Sequence, residues 1–424
     1  MMESISGLSD SEEIVLSVLQ ILSAALSLLG SSAIVYKILR HLEKTKTTTP
    51  YDRIMLCLSC CDILASITYA MGPLLLPRET SQRVWAVGTD WTCSRLGVLT
   101  QLTCLWAVWY NALLSFYFLL TVRFRVGPDG FRRKYEPWMH LSGAIFFPVT
   151  AMIGLAGDWY SEERLTMMCW IGEVPKGVGG YGLLVASLFG GIPTAITLLS
   201  LVINNIAIYL FVRKSLLHPA ASTATSKTTT MTKEEDPETA TTTTRGSEIG
   251  VEEHNDSTPS NKRASVKSAK VRSLEERLTR EVAIQGLLYV SSFILTVTPG
   301  FILSLLEGVG FTEGDQGRLY QLLVLNSMLL PLQGLFNVLI YIKPSYSRFR
   351  SRYPKKSMVF VLKQALFNQD IPRLSSVMAV SSGRVMRSSL RSSLAVIIEE
   401  VSVDDSVSST PEPVDSESSS ASRT

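Results

Sequence analysis

The chain has 424 residues, 46% hydrophobic and 18% charged, with a formal net charge of +3 and a mean hydropathy of +0.23. A charged share below the ~25% of soluble domains, with apolar residues clumped into long runs, excludes an ordinary soluble globular fold and points to membrane spans. Basic runs interleaved with aromatics are missing, which removes nucleic acid as an expected partner.

Residues 1–13 form a short acidic segment without Lys or Arg. It lacks the basic n-region of a cleaved signal peptide and is expected to lie outside the cell. Span one runs from Ile14 to Leu39. Ser23, Ala24, Ser27, Gly30 and Ser31 supply the small residues that let helices approach closely in lipid. A basic loop with Arg40, His41, Lys44, Lys46 and Arg53 leads into span two, Ile54 to Leu76, which carries Asp62 in LSCCDILASITYAMG. A Trp-rich loop of mixed charge follows, and then span three from Cys93 to Arg125. Its interior GVLTQLTCLWAVWYNALLSFYFLL holds no charged side chain, and its strongly polar groups are Gln101 and Asn111. At ~1.5 Å per residue this run crosses roughly 30 Å of hydrocarbon with length to spare, and it reads as the central column of a bundle.

The next loop, RFRVGPDGFRRKY, places a turn signal among Arg123, Arg125, Arg132, Arg133 and Lys134. Span four covers Trp138 to Leu155. An outer loop with Asp158, Glu162, Glu163 and Cys169 precedes span five, Tyr181 to Val212. Residues 213–278 change character: Thr runs, mixed charge and few large apolar residues predict a disordered linker. Span six covers Val282 to Leu306 and span seven Leu319 to Ile342, so that the last two spans fall within 279–342. In residues 343–354, Tyr346, Phe349 and Tyr353 recur at helical spacing among arginines, which predicts a short amphipathic helix on the membrane surface. The Ser-rich tail, 355–424, is expected to be disordered.

Seven spans place the termini on opposite sides. The loops joining spans one to two and three to four, the ends of five and six, and the start of the tail hold about twenty Lys and Arg, against about five elsewhere, which puts the N-terminus outside by the positive-inside rule. The expected architecture is an all-α, seven-helix membrane bundle with an appended helix eight, resident in the plasma membrane.

Several constellations carry the functional reading. Cys93 and Cys169 both fall on the outer, oxidising side, and a disulfide between them would tie the outer loop over the bundle's mouth; the alternative is two unpaired thiols. Asp62 is the carboxylate deep within a span, with Asn111, Asn326, Gln333 and Asn337 as candidate partners. That group reads either as a register-fixing polar network or as a proton- or cation-linked switch. Pro148, Pro193, Pro299 and Pro331 each remove a backbone hydrogen bond inside a span, and Pro299 and Pro331 are the hinge candidates because their helices run into basic segments. Trp85, Trp91 and Trp170 form either an interfacial belt or the vestibule of a ligand site. Arg123, Arg125, Arg132, Arg133, Arg213 and Arg280 at the inner ends of the spans either anchor headgroups or form a docking face. Ser265, Ser388, Ser389, Ser392 and Ser393 lie in basic contexts that suit kinases.

Together these parts resemble a G-protein-coupled receptor over about Val15 to Pro354. LSCCDILASITYAMG, the Cys93 and Cys169 pair, and LPLQGLFNVLIYIKP of span seven are similar to the slime-mould cyclic AMP receptor group and its secretin-like relatives. The resemblance implies that Cys93 and Cys169 are the family disulfide and that Gln333, Gly334 and Asn337 are the span-seven motif. It also implies an extracellular ligand, a heterotrimeric G protein admitted when span six moves outward, and kinase and arrestin-like regulators. Span three ends SFYFLLTVRFRV without Asp-Arg-Tyr, and span seven ends NVLIY without Asn-Pro-x-x-Tyr, which departs from the rhodopsin-like class. The cavity-facing residues show no cyclic-nucleotide site, so the ligand does not carry over.

Three rivals are weaker. A microbial-type retinal protein needs a Schiff-base lysine within span seven, and none lies between Leu319 and Ile342. A transporter or channel using Asp62 as a cation or proton site calls for internal repeats and several intramembrane charges, neither of which appears. Motifs for an enzyme, a metal centre or a cofactor are missing. The expected function is a receptor that passes an extracellular ligand signal to a G protein by parting spans five and six.

Overall fold

The structure, a computed structural model, describes residues 8–81, 83–163, 166, 168–171, 187–217, 259–308 and 315–367. Seven helices are long and apolar enough to cross a membrane, and the chain is an integral membrane protein. They are α1 (Asp10–Thr45), α2 (Pro50–Met71), α3 (Asp90–Arg123), α4 (Glu136–Ala156), α5 (Ile192–Leu217), α6 (Pro259–Gly308) and α7. The last consists of Gln316–Leu329, a 3-10 turn at Leu330–Leu332, and Gln333–Arg352. Helix α8, Met358–Phe367, closes the described chain, and a short helix, Pro128–Lys134, bridges α3 and α4.

Local chemistry sets the helix ends. Glu12 accepts from the Ser9 backbone N–H at 2.9 Å as α1 begins. Thr49 accepts from the Asp52 N–H at 3.2 Å, with Pro50 in the first position of α2. Thr89 accepts from the Thr92 N–H at 3.3 Å at the start of α3. Of the most apolar window of α3, 56% is buried, against 17% of that of α5, so α3 is the inner column and α5 faces outward. Trp106 and Trp109 of α3 donate to the Gly143 and Met139 carbonyls of α4 at 3.0 and 3.1 Å, fixing that pair.

Helices α1 and α7 meet at a pair of glycines. A Cβ on Gly30 would stand 2.8 Å from the Gly334 carbonyl oxygen, and one on Gly334 only 2.1 Å from Ser31 Oγ. The vacated space admits a direct contact, Gly334 N–H to Ser27 Oγ at 3.0 Å. Ser27, Gly30 and Ser31 of the small-residue face of span one therefore form its contact with span seven, while Ala24 packs with Ala65 and Tyr69 of α2.

Three sequence expectations change. The outer loop holds an antiparallel hairpin, β1 (Tyr160–Glu163) with β2 (Met168–Ile171), in the register Tyr160↔Ile171 and Glu162↔Cys169. Within the span 213–278 expected to be a linker, α5 continues to Leu217 and α6 begins at Pro259, while 218–258 lie outside the described residues. The Thr runs end before Pro259, and the following segment is rich in Ala, Leu, Lys, Arg and Glu, all strong helix formers. The amphipathic helix expected over 343–354 is instead the end of α7, which runs through Pro344 to Arg352. Pro354 disfavours a helical Tyr353 and stops it there. The surface helix is α8, whose start is marked by Phe360 N–H donating to Ser357 Oγ at 3.3 Å.

Two apolar clusters divide the bundle lengthwise. One gathers Met55 and Leu58 of α2, Leu113 to Val122 of α3, Val282 and Tyr289 of α6, and Val338 to Ile342 of α7 at the basic end. The other packs Leu16, Leu96, Leu303 and Leu323 around Cys93 and Cys169 at the opposite end. A cavity lies between them.

Candidate functional site

The cavity has a volume of about 520 Å³ and draws its walls from α1, α2, α3, α5, α6, α7 and the hairpin. Its size falls within the ~300–1,000 Å³ of small-molecule sites.

The hairpin is held over it at three points. Cys93 at the head of α3 is bonded to Cys169 of β2, with Cα atoms 5.4 Å apart. By the chain-entropy model such a closure contributes roughly 4 kcal/mol. Tyr160 of β1 inserts between α3 and α4 over Gly97 and Gly154, where any side chain would collide with its ring. Its hydroxyl donates to Gln101 Oε1 at 2.5 Å and to the Ala151 carbonyl at 3.1 Å. Burial pushes the Tyr160 phenol above its ordinary pKa, so it remains a neutral donor. Arg83 then spans Glu13 at the start of α1 (3.1 Å) and Glu162 of β1 (3.0 Å) in a buried ion cluster.

The floor is a chain of amides and hydroxyls crossing three helices. Asn337 of α7 donates to Asp62 of α2 at 2.7 Å, Gln333 donates to Asn337 at 3.1 Å, and Thr296 of α6 donates to Gln333 at 2.6 Å. Asp62, Asn337 and Thr296 are at most 3% exposed. Asp62, Gln333 and Asn337 are thus brought together as their residue types suggested. Asn111 turns back to the Ala107 carbonyl of its own helix at 2.8 Å. Asn326 lines the cavity, with its Oδ1 buried and without a donor. Thr296 had not stood out in the sequence, because hydroxyls occur throughout the spans; Ser27 lines the cavity and accepts from the Gly334 N–H.

Pro331 sits buried in the 3-10 turn that interrupts α7 beside the cavity, and Pro299 lies within α6. Of the three tryptophans, Trp170 of β2 lines the cavity. Trp85 and Trp91 are exposed outside its wall, and Trp91 stacks under Arg95 at 5.4 Å.

At the basic end, Arg123, Arg125, Arg132, Arg133, Arg213 and Arg280 are all exposed: at or just after the end of α3, on the short helix between α3 and α4, near the end of α5, and within α6 two residues before its buried Val282. The Arg123 guanidinium lies 5.7 Å over the Phe211 ring of α5, so the ends of α3 and α5 touch. Arg53 of α2 forms a bidentate pair with Glu136 of α4 at 2.5 and 2.6 Å. Three rings and an amide join α2 to α6 and α7: Tyr51 and Tyr289 hydroxyls are 3.1 Å apart, Gln285 of α6 donates to Tyr51 at 3.0 Å, and Tyr51 stacks on Tyr341 of α7. None of these last groups stood out in the sequence, since aromatic and charged residues abound near helix ends. Ser265 falls within α6, and Ser388, Ser389, Ser392 and Ser393 lie outside the described residues.

No family model matches the chain, and no curated protein does. Among solved structures the chain is similar to the crystal structure of squid rhodopsin, with a TM-score of 0.51 and 14% identity over 86% of this chain and 89% of that one. Identity this low carries the fold alone, a rhodopsin-like seven-helix bundle, and it does so although span three lacks Asp-Arg-Tyr.

Proposed function

We propose that the chain is a G-protein-coupled receptor of the plasma membrane, with the disulfide end outside and the basic end in the cytoplasm. The observation that carries this reading is the cavity beneath the pinned hairpin, whose floor couples α2, α6 and α7 through Asp62, Asn337, Gln333 and Thr296. A ligand seated there favours one arrangement of these helices over another. Its differential affinity for the two shifts their populations.

In the second arrangement α5 and α6 part at the basic end, with Pro299 and Pro331 taking up the bend, and a heterotrimeric G protein enters against Arg123, Arg125, Arg132, Arg133, Arg213 and Arg280. The distribution of basic residues supports this orientation, and the span-two and span-seven sequences support a kinship with the cyclic AMP receptor group. Kinases acting on Ser265 and on the Ser388 to Ser393 cluster, followed by an arrestin-like partner, would end the signal.

The test is nucleotide exchange on a panel of heterotrimeric G proteins by the purified protein in nanodiscs. Basal exchange is expected on at least one member, and Arg123→Ala/Arg125→Ala is expected to reduce it at least tenfold. If no G protein responds and liposomes bearing the protein show a cation or proton flux that Asp62→Asn abolishes, the chain is a transporter or channel.

A further inference from the structure

A cluster of reactive side chains stands apart from the cavity, where α2 meets α3 and α4, and none of its members lines that space. Arg53 and Cys57 are one turn apart on α2, and Glu136 and His140 are one turn apart on α4, so the two helices face each other through two rungs. One rung is the bidentate pair of Arg53 with Glu136. In the other, the Cys57 thiol is hydrogen-bonded with the His140 ring and with the Tyr110 hydroxyl of α3. The Tyr110 hydroxyl lies 3.0 Å from His140 Nδ1, and His140 Nε2 lies 3.7 Å from Glu136 Oε1. A thiol, an imidazole and a carboxylate fixed by an arginine thus follow one another. In that order a base can withdraw the thiol proton and the carboxylate steadies the imidazolium that results.

The cluster opens toward lipid. Cys57 is half-buried and heads a stripe of α2 that continues through Cys60, Leu64, Ile67 and Met71, all exposed. His140 keeps 29% of its side chain exposed, beside the exposed Leu141. The paired charges of Arg53 and Glu136 belong at the polar boundary of the bilayer, and one helical turn places Cys57 roughly 5 Å deeper. A thiol at that depth meets molecules dissolved among the acyl chains.

We propose that Cys57 is a modification site for lipid-borne soft electrophiles, α,β-unsaturated aldehydes carried on an alkyl chain. The sulfur bonds to the β-carbon while His140 takes the thiol proton, directly or through the Tyr110 hydroxyl. The electron pair of the C=C bond moves to the α-carbon and carbonyl, and the α-carbon then recovers the proton from His140. The product is a saturated aldehyde joined to Cys57 by a thioether, formed without oxidant, reductant or leaving group. The site stands whether or not the chain couples to a G protein.

The full chain in nanodiscs is treated with alkyne-tagged hydroxynonenal, and adducts at each cysteine are followed in time by mass spectrometry. Exposure alone ranks Cys60 ahead of Cys57, and the relay reverses that order. Cys57 is expected to react at least tenfold faster than Cys60, within the gain that a positioned base supplies. His140→Gln is expected to slow Cys57 at least tenfold while leaving the Cys60 rate unchanged, with Tm recorded to show that the variant is folded. Should that variant fail to fold, the order of the two cysteines in the wild-type chain decides. A sulfonated maleimide, confined to water, is expected to label Cys57 at least tenfold more slowly than N-ethylmaleimide, which enters lipid. Cys60 reacting as fast as Cys57, a folded His140→Gln protein with an unchanged Cys57 rate, or equal rates for the two maleimides overturns the proposal.

Discussion

Asp62 holds a structural hydrogen bond and, on the proposed reading, a switching role, and substitution separates the two. Its Oδ2 accepts from Asn337 at 2.7 Å in a fully buried setting. Asn in its place keeps an oxygen for that bond and nearly the same volume. Leu removes the acceptor and strands the Asn337 amide, which costs about 1–3 kcal/mol. Asp62→Asn is therefore expected to reach the cell surface with a Tm close to that of the wild type while changing basal or ligand-driven nucleotide exchange. Asp62→Leu is expected to lower Tm clearly in a thermal melt. Equal loss of folding in both variants, with no separable effect on exchange, would reduce the network to a register-fixing scaffold. The acid and the span-seven amides were legible in the sequence because polar groups are costly in lipid and stand out there. Arg83 was not: in a loop of mixed charge it reads as solvated, and only the fold carries Glu13 and Glu162 to its two sides.

At the level of elements, apolar runs of the right length revealed the seven helices, because a span must satisfy its own backbone and expose hydrocarbon to lipid. The hairpin escaped notice for the opposite reason. Its strands are four residues each and gain their place from the disulfide and from Tyr160, both long-range contacts. Helix ends were legible to within a few residues at α3 and α4, and less so at the start of α5, expected at Tyr181 and found at Ile192 after a π turn over Ser187–Gly191, and in α6, whose charged N-terminal extension carries no apolar signal. The contact of α1 with α7 yields a sharp expectation. Gly334→Ala drives a methyl to 2.1 Å from Ser31 Oγ and 2.7 Å from the Ser27 carbonyl, and Gly30→Ala meets the Gly334 backbone at 2.8 Å. Backbone cannot rotate away as a side-chain tip can, so each is expected to cost about 1–3 kcal/mol. Gly130→Ala, whose nearest neighbour would be Val126 Cγ1 at 3.6 Å, is expected to be neutral or slightly stabilising in the short helix Pro128–Lys134. Thermal melts of the three variants check this. A Gly334→Ala protein as stable as Gly130→Ala would show that α1 and α7 are not packed this closely.

Across the whole molecule the two ends differ, and on the proposed reading as a receptor the difference is that of a resting state. A cavity lies beneath the hairpin at the disulfide end, while at the basic end Val282, Ala283 and Tyr289 of α6 are buried against α3 and its neighbours. Outward movement of α6 must break the two bonds that tie it to α2, Tyr51 with Tyr289 at 3.1 Å and Gln285 with Tyr51 at 3.0 Å. On the proposed reading, and in a chain without an Asp-Arg-Tyr arginine on α3, this tyrosine bridge is a polar contact, among the described residues, placed to hold the basic end of α6 against α2. Tyr289→Phe keeps the ring on Phe118, 6.2 Å away between centroids, and deletes one bond. A neutral buried hydrogen bond contributes about 1 kcal/mol net, which is about a fivefold shift in a two-state equilibrium. Basal nucleotide exchange is accordingly expected to rise about fivefold in Tyr289→Phe, and further in Tyr51→Phe, which loses both bonds. A general loss of stability affects both arrangements alike and leaves basal exchange where it was. A fall in Tm without a rise in exchange would therefore assign the bridge to packing, and a rise that parallels the number of bonds removed would assign it to the resting state.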